Sequence, residues 1–243
     1  MSHRDSPIKK NRELNKPMDL MNVGFVGTVS VAPTPATEHS SMYESFNPLT
    51  TVNKQHFVCW FSGKQTPRPF TIRNTNKSGA SFTMNDSVDG GGRISTGSTA
   101  DAKCAFDFNN KGMHYSPTGS VMLSVSKAVD INTNQGLKIY LTNTNTNEGG
   151  SSQFGAFYMT SAGLYIRHNG TNTSSGLSQD TSWHLWKFEL TSSNGKVWQD
   201  GTLAGTVTTT LPSDSMQPSY TNTTGGAGGS RRQDVRYCEA YNT

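Results

Sequence analysis

The sequence predicts an all-β fold, an antiparallel β-sandwich. Short runs of alternating apolar and polar residues recur at spacings of roughly 8–15 residues, the period-two signature of half-buried strands. Clusters of Gly, Asn, Asp and Ser separate these runs. No stretch carries the periodicity of an amphipathic helix. Composition agrees: only 16% of the residues are charged, too few for a charge-extended disordered chain.

In chain order, residues 1–45 read as an extended arm and linker, and 46–243 as the sandwich. The arm opens with Arg4, Lys9, Lys10, Arg12 and Lys16. An apolar patch follows, formed by Val23, Phe25, Val26, Val29 and Val31. Asp19, Asn22 and two glycines interrupt the mildly apolar stretch 18–32 that holds this patch and argue against a secretory signal. Pro33 and Pro35 mark a linker. Fully extended, such an arm reaches about 150 Å, so its expected partner is a neighbouring copy of the chain, where the patch adds as an edge strand.

The body opens with His56–Phe61, whose nearly continuous apolarity predicts a strand buried on both faces. Shorter strands follow at 70–73, 80–84 and 93–96. The run 103–108 alternates. In 119–129, Val121, Leu123 and Val125 share a face. In 136–141, Leu137, Ile139 and Leu141 point inward. Phe154–Met159 and Gly163–His168 form a pair. Residues 219–230 read as a Gly-rich segment, and Asp234–Tyr241 as the final strand, expected to pair with His56–Phe61 so that Cys59 and Cys238 are neighbours.

The clearest signal is the stretch 183–207. Trp183, Leu185, Lys187 and Glu189 alternate with His184, Trp186, Phe188 and Leu190, and the second set reads as the core face. Ser193-Asn194-Gly195 reads as a hairpin turn accepting positive φ, and Asp200-Gly201 as another. Together they predict a three-stranded meander. This pattern, a Trp-His strand, a short turn, a strand ending in Asp-Gly and a small-residue strand, resembles the laminin G and concanavalin A-like jelly-roll domains. The resemblance implies an antiparallel jelly-roll sandwich. The closing segment Arg236–Thr243, with Met216-Gln217-Pro218 before it, resembles the end of sandwich domains in marine phage structural proteins.

Chemistry is sparse. Glucanase relatives of the jelly roll carry Glu-x-Asp-x-Glu on one strand, because glycoside hydrolysis needs two flanking carboxylates. None of the six Glu here starts that motif, which argues against hydrolase activity. Asp86 and Asp89 flank a Gly turn and read as turn formers. The histidines and the three cysteines lack metal-ligand spacing, and Asp107 with Asn109 alone makes no calcium loop. No cofactor is expected. The net charge of +4 lies mainly in the arm, leaving no electrostatic footprint for nucleic acid. No apolar run is long enough to span a membrane.

Tyr165, His168, Trp183 and Trp198 are the candidates for stacking on sugar rings. The resulting expectation is a non-enzymatic phage structural protein on the virion surface. It is anchored by its arm to copies of itself and neighbouring virion proteins, with host surface glycans as a further partner. The alternative is an extracellular, lectin-like carbohydrate-binding module.

Overall fold

The computed structural model describes residues 55–61, 69–74, 81–84, 91–109, 114–129, 137–143, 152–159, 163–224 and 230–243. The arm and its patch Val23, Phe25, Val26, Val29 and Val31 lie outside the described residues.

Among the described residues, fifteen strands form two antiparallel sheets. They are β1 (His56–Trp60), β2 (Thr71–Asn74), β3 (Ser81–Met84), β4 (Gly92–Ser95), β5 (Lys103–Asp107), β6 (Gly119–Ala128), β7 (Lys138–Thr142), β8 (Gln153–Met159), β9 (Gly163–His168), β10 (Thr171–Ser174), β11 (His184–Thr191), β12 (Gly195–Gln199), β13 (Thr202–Val207), β14 (Gln217–Thr223) and β15 (Arg232–Asn242). The eight-stranded sheet runs β13-β12-β11-β6-β15-β4-β3, with β1 beside β4 along the same edge of β15. The seven-stranded sheet runs β10-β9-β8-β7-β14-β5-β2. The expected antiparallel jelly-roll sandwich is the observed fold.

The core between the sheets is aromatic. Phe57, Phe61, Phe70, Phe106, Phe108 and Tyr220 cluster at one end, with Phe70 stacked on Phe106 at 4.6 Å. Trp186, Phe188, Phe154 and Tyr158 fill the other. Each ring pair adds about 0.5–1.5 kcal/mol beyond area burial. The Tyr220 hydroxyl and Ser124 Oγ, from opposite sheets, share a 2.9 Å hydrogen bond, so the polar atoms are satisfied inside the core.

The closing strand pairs as expected: β1 lies antiparallel to β15 with Cys59 opposite Cys238, both buried and free. The strand β1 is not buried on both faces, however. Trp60 is 52% exposed on the outer side of the eight-stranded sheet, where its ring packs against Tyr237 at 4.6 Å. The meander β11-β12-β13 is present, with Trp186, Phe188 and Leu190 fully buried. His184, expected in the core, is only partly buried and is held at the rim by carboxylates.

The two turns of the meander differ. Asp200 (φ 50) and Gly201 (φ 80) form the two-residue positive-φ turn the sequence predicts. Asn194 and Gly195 do not. The loop 191–194 is closed by Thr191, whose backbone N–H donates to Asn194 O at 2.9 Å, and Gly195 is already paired with Leu190. Its glycine serves space: a Cβ there would stand 2.5 Å from the Phe154 ring.

Candidate functional site on the outer face of the seven-stranded sheet

The site begins with parity. On β7, Leu137, Ile139 and Leu141 enter the core, so Lys138, Tyr140 and Thr142 project from the outer face. Strand registers carry that face across the sheet. One row of directly opposed residues runs Thr71, Asp107, Ser219, Tyr140, Gly155, Arg167 and Asn172, crossing all seven strands. To one side of it, Thr142 sits between Gln217 and Gln153. To the other, Lys138, Phe157 and Tyr165 stand in line.

Much of this face is screened from solvent. Tyr140 is 6% exposed, Lys138 5%, Phe157 3% and Gln217 0%. Charge–charge and hydrogen-bond interactions there are stronger than in open water.

Glycine at 155 shapes the middle of the row. A Cβ at Gly155 would lie 2.0 Å from Ile139 O and 2.6 Å from Tyr140 Cδ1. The Tyr140 ring therefore occupies the space a side chain on β8 would need. Tyr140, Phe157 and Tyr165 form an aromatic line, with centroid separations of 6.5 and 5.9 Å.

Beyond Gly155, Arg167 is fixed by neutral acceptors. Its Nε donates to Gln153 Oε1 at 3.0 Å and one terminal nitrogen donates to Asn172 Oδ1 at 2.9 Å. Among the described residues it makes no ion pair. Lys138 Nζ donates to Thr223 Oγ1 at 3.2 Å. Thr221 Oγ1, on the same face, is buried without a hydrogen-bond partner among the described residues.

The strands of this sheet contain one carboxylate, Asp107, against four cations, Arg73, Lys103, Lys138 and Arg167. Asp107 is committed: Arg73 donates to both of its oxygens, and Oδ1 also accepts the Asn109 N–H at 2.7 Å. These strands therefore lack the two opposed carboxylates of glycoside hydrolysis. No cluster of three metal-type ligands occurs among the described residues.

The four residues expected to stack on sugar do not share a surface. Tyr165 belongs to the site. His168 points inward, on the same side of β9 as Leu164 and Ile166, with Nε2 2.9 Å from Thr173 Oγ1. Period two on β9 separates it from Tyr165. Trp183 and Trp198 stand on the outer side of the eight-stranded sheet, across the sandwich. There Trp183 lies under Arg236 (4.0 Å) and Lys127 (4.8 Å), and Trp198 under Lys187 (4.6 Å), so cations already occupy those ring faces. Tyr140, Phe157, Arg167, Gln153 and Lys138 were missed. Their signal was present in the inward assignment of Leu137, Ile139 and Leu141, which leaves Lys138, Tyr140 and Thr142 on the opposite face.

No protein-family model matches the chain, and no curated protein does. Solved structures do. The Crh5 transglycosylase gives a TM-score of 0.57 at 12% identity, over 77% of this chain and 84% of that one. A Bacillus licheniformis beta-glucanase gives 0.51 at 16% identity, over 77% and 98%. An endo-beta-1,4-glucuronan lyase from the fungus Trichoderma reesei gives 0.50 at 13% identity, over 77% and 95%. What is shared at such identities is the fold, the concanavalin-like jelly roll.

Proposed function

We propose that this chain is a carbohydrate-active enzyme that lays a polysaccharide over the outer face of the seven-stranded sheet and cleaves it. The observation that carries this reading is the partly exposed pair Tyr165 and Arg167, backed by the buried rings of Phe157 and Tyr140 and bordered by Lys138, Gln153 and Gln217. Flat apolar rings beside a few fixed polar groups are what a sugar chain requires, since each pyranose has an apolar face and a rim of hydroxyls.

The structural likenesses support an enzyme. Proteins sharing the fold include a transglycosylase, a glucanase and a lyase. They correct the expectation of a phage virion protein, that of a lectin-like module without activity, and that of no enzymatic function. The absence of Glu-x-Asp-x-Glu argues only against the glucanase pair of carboxylates, and the resemblance of Arg236–Thr243 to phage structural proteins finds no counterpart among these likenesses.

The test is depolymerisation of a panel of neutral and acidic polysaccharides, followed by viscosity and chain length. Shortening of at least one polymer is expected, and Tyr165→Ala should weaken apparent substrate binding by about tenfold, equivalent to ~1.4 kcal/mol. A protein that shortens none of them, at any pH from acid to alkaline, sinks the proposal.

A further inference from the structure

We infer that the outer face of the eight-stranded sheet is an interface between two copies of this chain, packed face to face. The inference starts from β6, a strand turned the wrong way round for a lone sandwich. Ser124 and Ser126 point into the core with Met122 and Ala128, and all four are buried. Ser124 shares its 2.9 Å hydrogen bond with Tyr220 there. Period two then sends the branched apolar side chains, Val121, Leu123 and Val125, outward. A sheet whose outer side meets water carries polar residues on that side. A central strand that carries Val and Leu there is built to be covered.

Neighbouring strands extend the apolar set. Trp60, Tyr237, Val125 and Leu185 stand directly opposed across β1, β15, β6 and β11. In the next row, Leu123 is followed by Lys187, Trp198 and Leu203 on β11, β12 and β13. Trp60 is 52% exposed, Leu185 46% and Leu203 50%. These are the exposed large hydrophobics among the described residues, and all three lie on this one face. Polar groups border the strip. On one side Arg236 and Lys127 stack over Trp183. On the other, Glu189 lies opposite Lys196. An apolar centre inside a polar rim is the anatomy of a protein interface.

The chemistry of the face selects its occupant. A sugar chain needs flat rings and hydroxyl partners, and a strip half made of Val and Leu offers few. A second sheet fits, since stacked sheets lie about 10 Å apart with interleaved side chains. Charge then favours a second copy. In a two-fold interface each patch meets itself, so a net charge would meet its own sign. Here Lys187 and Lys196 balance Glu189 and Glu239. Lys187 Nζ and Glu189 Oε2 are 2.9 Å apart, and Glu239 is bonded to His56 and the Tyr237 hydroxyl. A two-fold axis along the rows sets the basic edge at Arg236 and Lys127 against the opposite edge of the other copy, not against itself. Area agrees: four rows on six strands cover on the order of 800 Å², about what each partner gives a standard interface. Packed so, both seven-stranded sheets face outward and each candidate site stays open.

The experiment takes the full chain through sedimentation equilibrium from about 0.1 to 100 μM, the upper range of affinity for interfaces of this size. Acrylamide quenching of tryptophan fluorescence is measured over the same range. Three of the four tryptophans, Trp60, Trp183 and Trp198, stand on this face, and Trp186 is buried. The expected result is a dimer whose formation lowers the quenching. Leu185→Lys combined with Leu203→Lys should raise the dissociation constant about 100-fold or more, because each added charge enters the interface twice. Both positions are half-exposed, so the double variant keeps the thermal midpoint of the dilute protein. Trp60→Ala, which adds no charge, should raise the constant about tenfold or more. A monomer at every concentration overturns the proposal. So does a dimer with unchanged quenching, or one that the double variant leaves intact, since either puts the contact elsewhere in the chain, the arm included. None of these outcomes bears on glycan cleavage.

Discussion

Substituting Gly155 by alanine tests the register on which the site rests. The added methyl would sit 2.0 Å from Ile139 O and 2.6 Å from Tyr140 Cδ1. The first contact is with backbone in the centre of a sheet and cannot swing aside. Strands β7 and β8 must part locally, an overpacking cost of about 1–3 kcal/mol. At about 2–4 °C per kcal/mol for a chain of this size, the thermal midpoint should fall by about 2–12 °C. The second contact displaces Tyr140. Tyr140 backs the aromatic line of the candidate site, and a misplacement of about 1 Å costs about 100-fold in rate even away from the reacting atoms, so turnover should fall further than stability does. The assay pairs calorimetry with polysaccharide cleavage, and Gly201→Ala is the control. Gly201 has open space around it and φ +80 on the opposite sheet, so alanine there costs about 1–2 kcal/mol of backbone strain and leaves turnover unchanged. An unchanged midpoint for Gly155→Ala would show that the register is wrong. A lowered midpoint with full turnover would show that Tyr140 is a bystander.

Trp186→Ala should cost about 3–5 kcal/mol through cavity formation, since the ring is fully buried. Trp198→Ala, which loses mainly the contact with Lys187, should cost about 0.5–1 kcal/mol; urea melts that rank the two the other way would show the faces of β11 and β12 are reversed. Partial burial pulls the His184 pKa down, but hydrogen bonds to Asp200 (2.6 Å) and Asp180 (2.8 Å) more than offset it and hold it above its ordinary 6.5. A raised folded pKa means this stabilisation is complete below pH 6.5 and is lost as pH rises through the folded value. Denaturant midpoints measured across that window should decline in the native protein and less steeply in Asp200→Asn; equal slopes would remove the cluster from the pH response. Burial pushes the Cys59 and Cys104 thiols up to about 12 and Cys238 higher still. All three should therefore resist alkylation until the protein unfolds, and rapid labelling of the folded chain would contradict their burial.

The meander was legible because alternation, Asp-Gly and bulky core residues all coincide between His184 and Val207. Strand β14 was not. Its sequence Gln-Pro-Ser-Tyr-Thr-Asn-Thr is buried along most of its length, yet only Tyr220 joins the apolar core. Gln217, Ser219 and Thr221 face the candidate site, where polarity is wanted, and that erases the hydrophobic pattern. Strand β10 was missed for a simpler reason: all four of its residues are polar and exposed. It is folded back only by Asn169 (φ 42) and Gly170 (φ 88), a turn signal that was available. The site is hard to read in the sequence because its strands carry no paired acids. A face built from Tyr, Arg, Lys and Gln announces itself only when registers place residues from β7, β8 and β9 side by side.

The pairing of β1 with β15 also bears on how the chain folds. His56 and Glu239 meet at 2.7 Å across 183 residues of sequence. Closing a loop of that length costs on the order of 5 kcal/mol in chain entropy, which neighbouring hairpins such as β11-β12 do not bear. The hairpins can form early and locally, while the seam between β1 and β15 waits for most of both sheets to be in place. Weakening that seam, for instance at the Cys59–Cys238 position, should then leave the folding rate nearly untouched and speed unfolding. The seam sets how long the folded molecule lasts rather than how fast it is made.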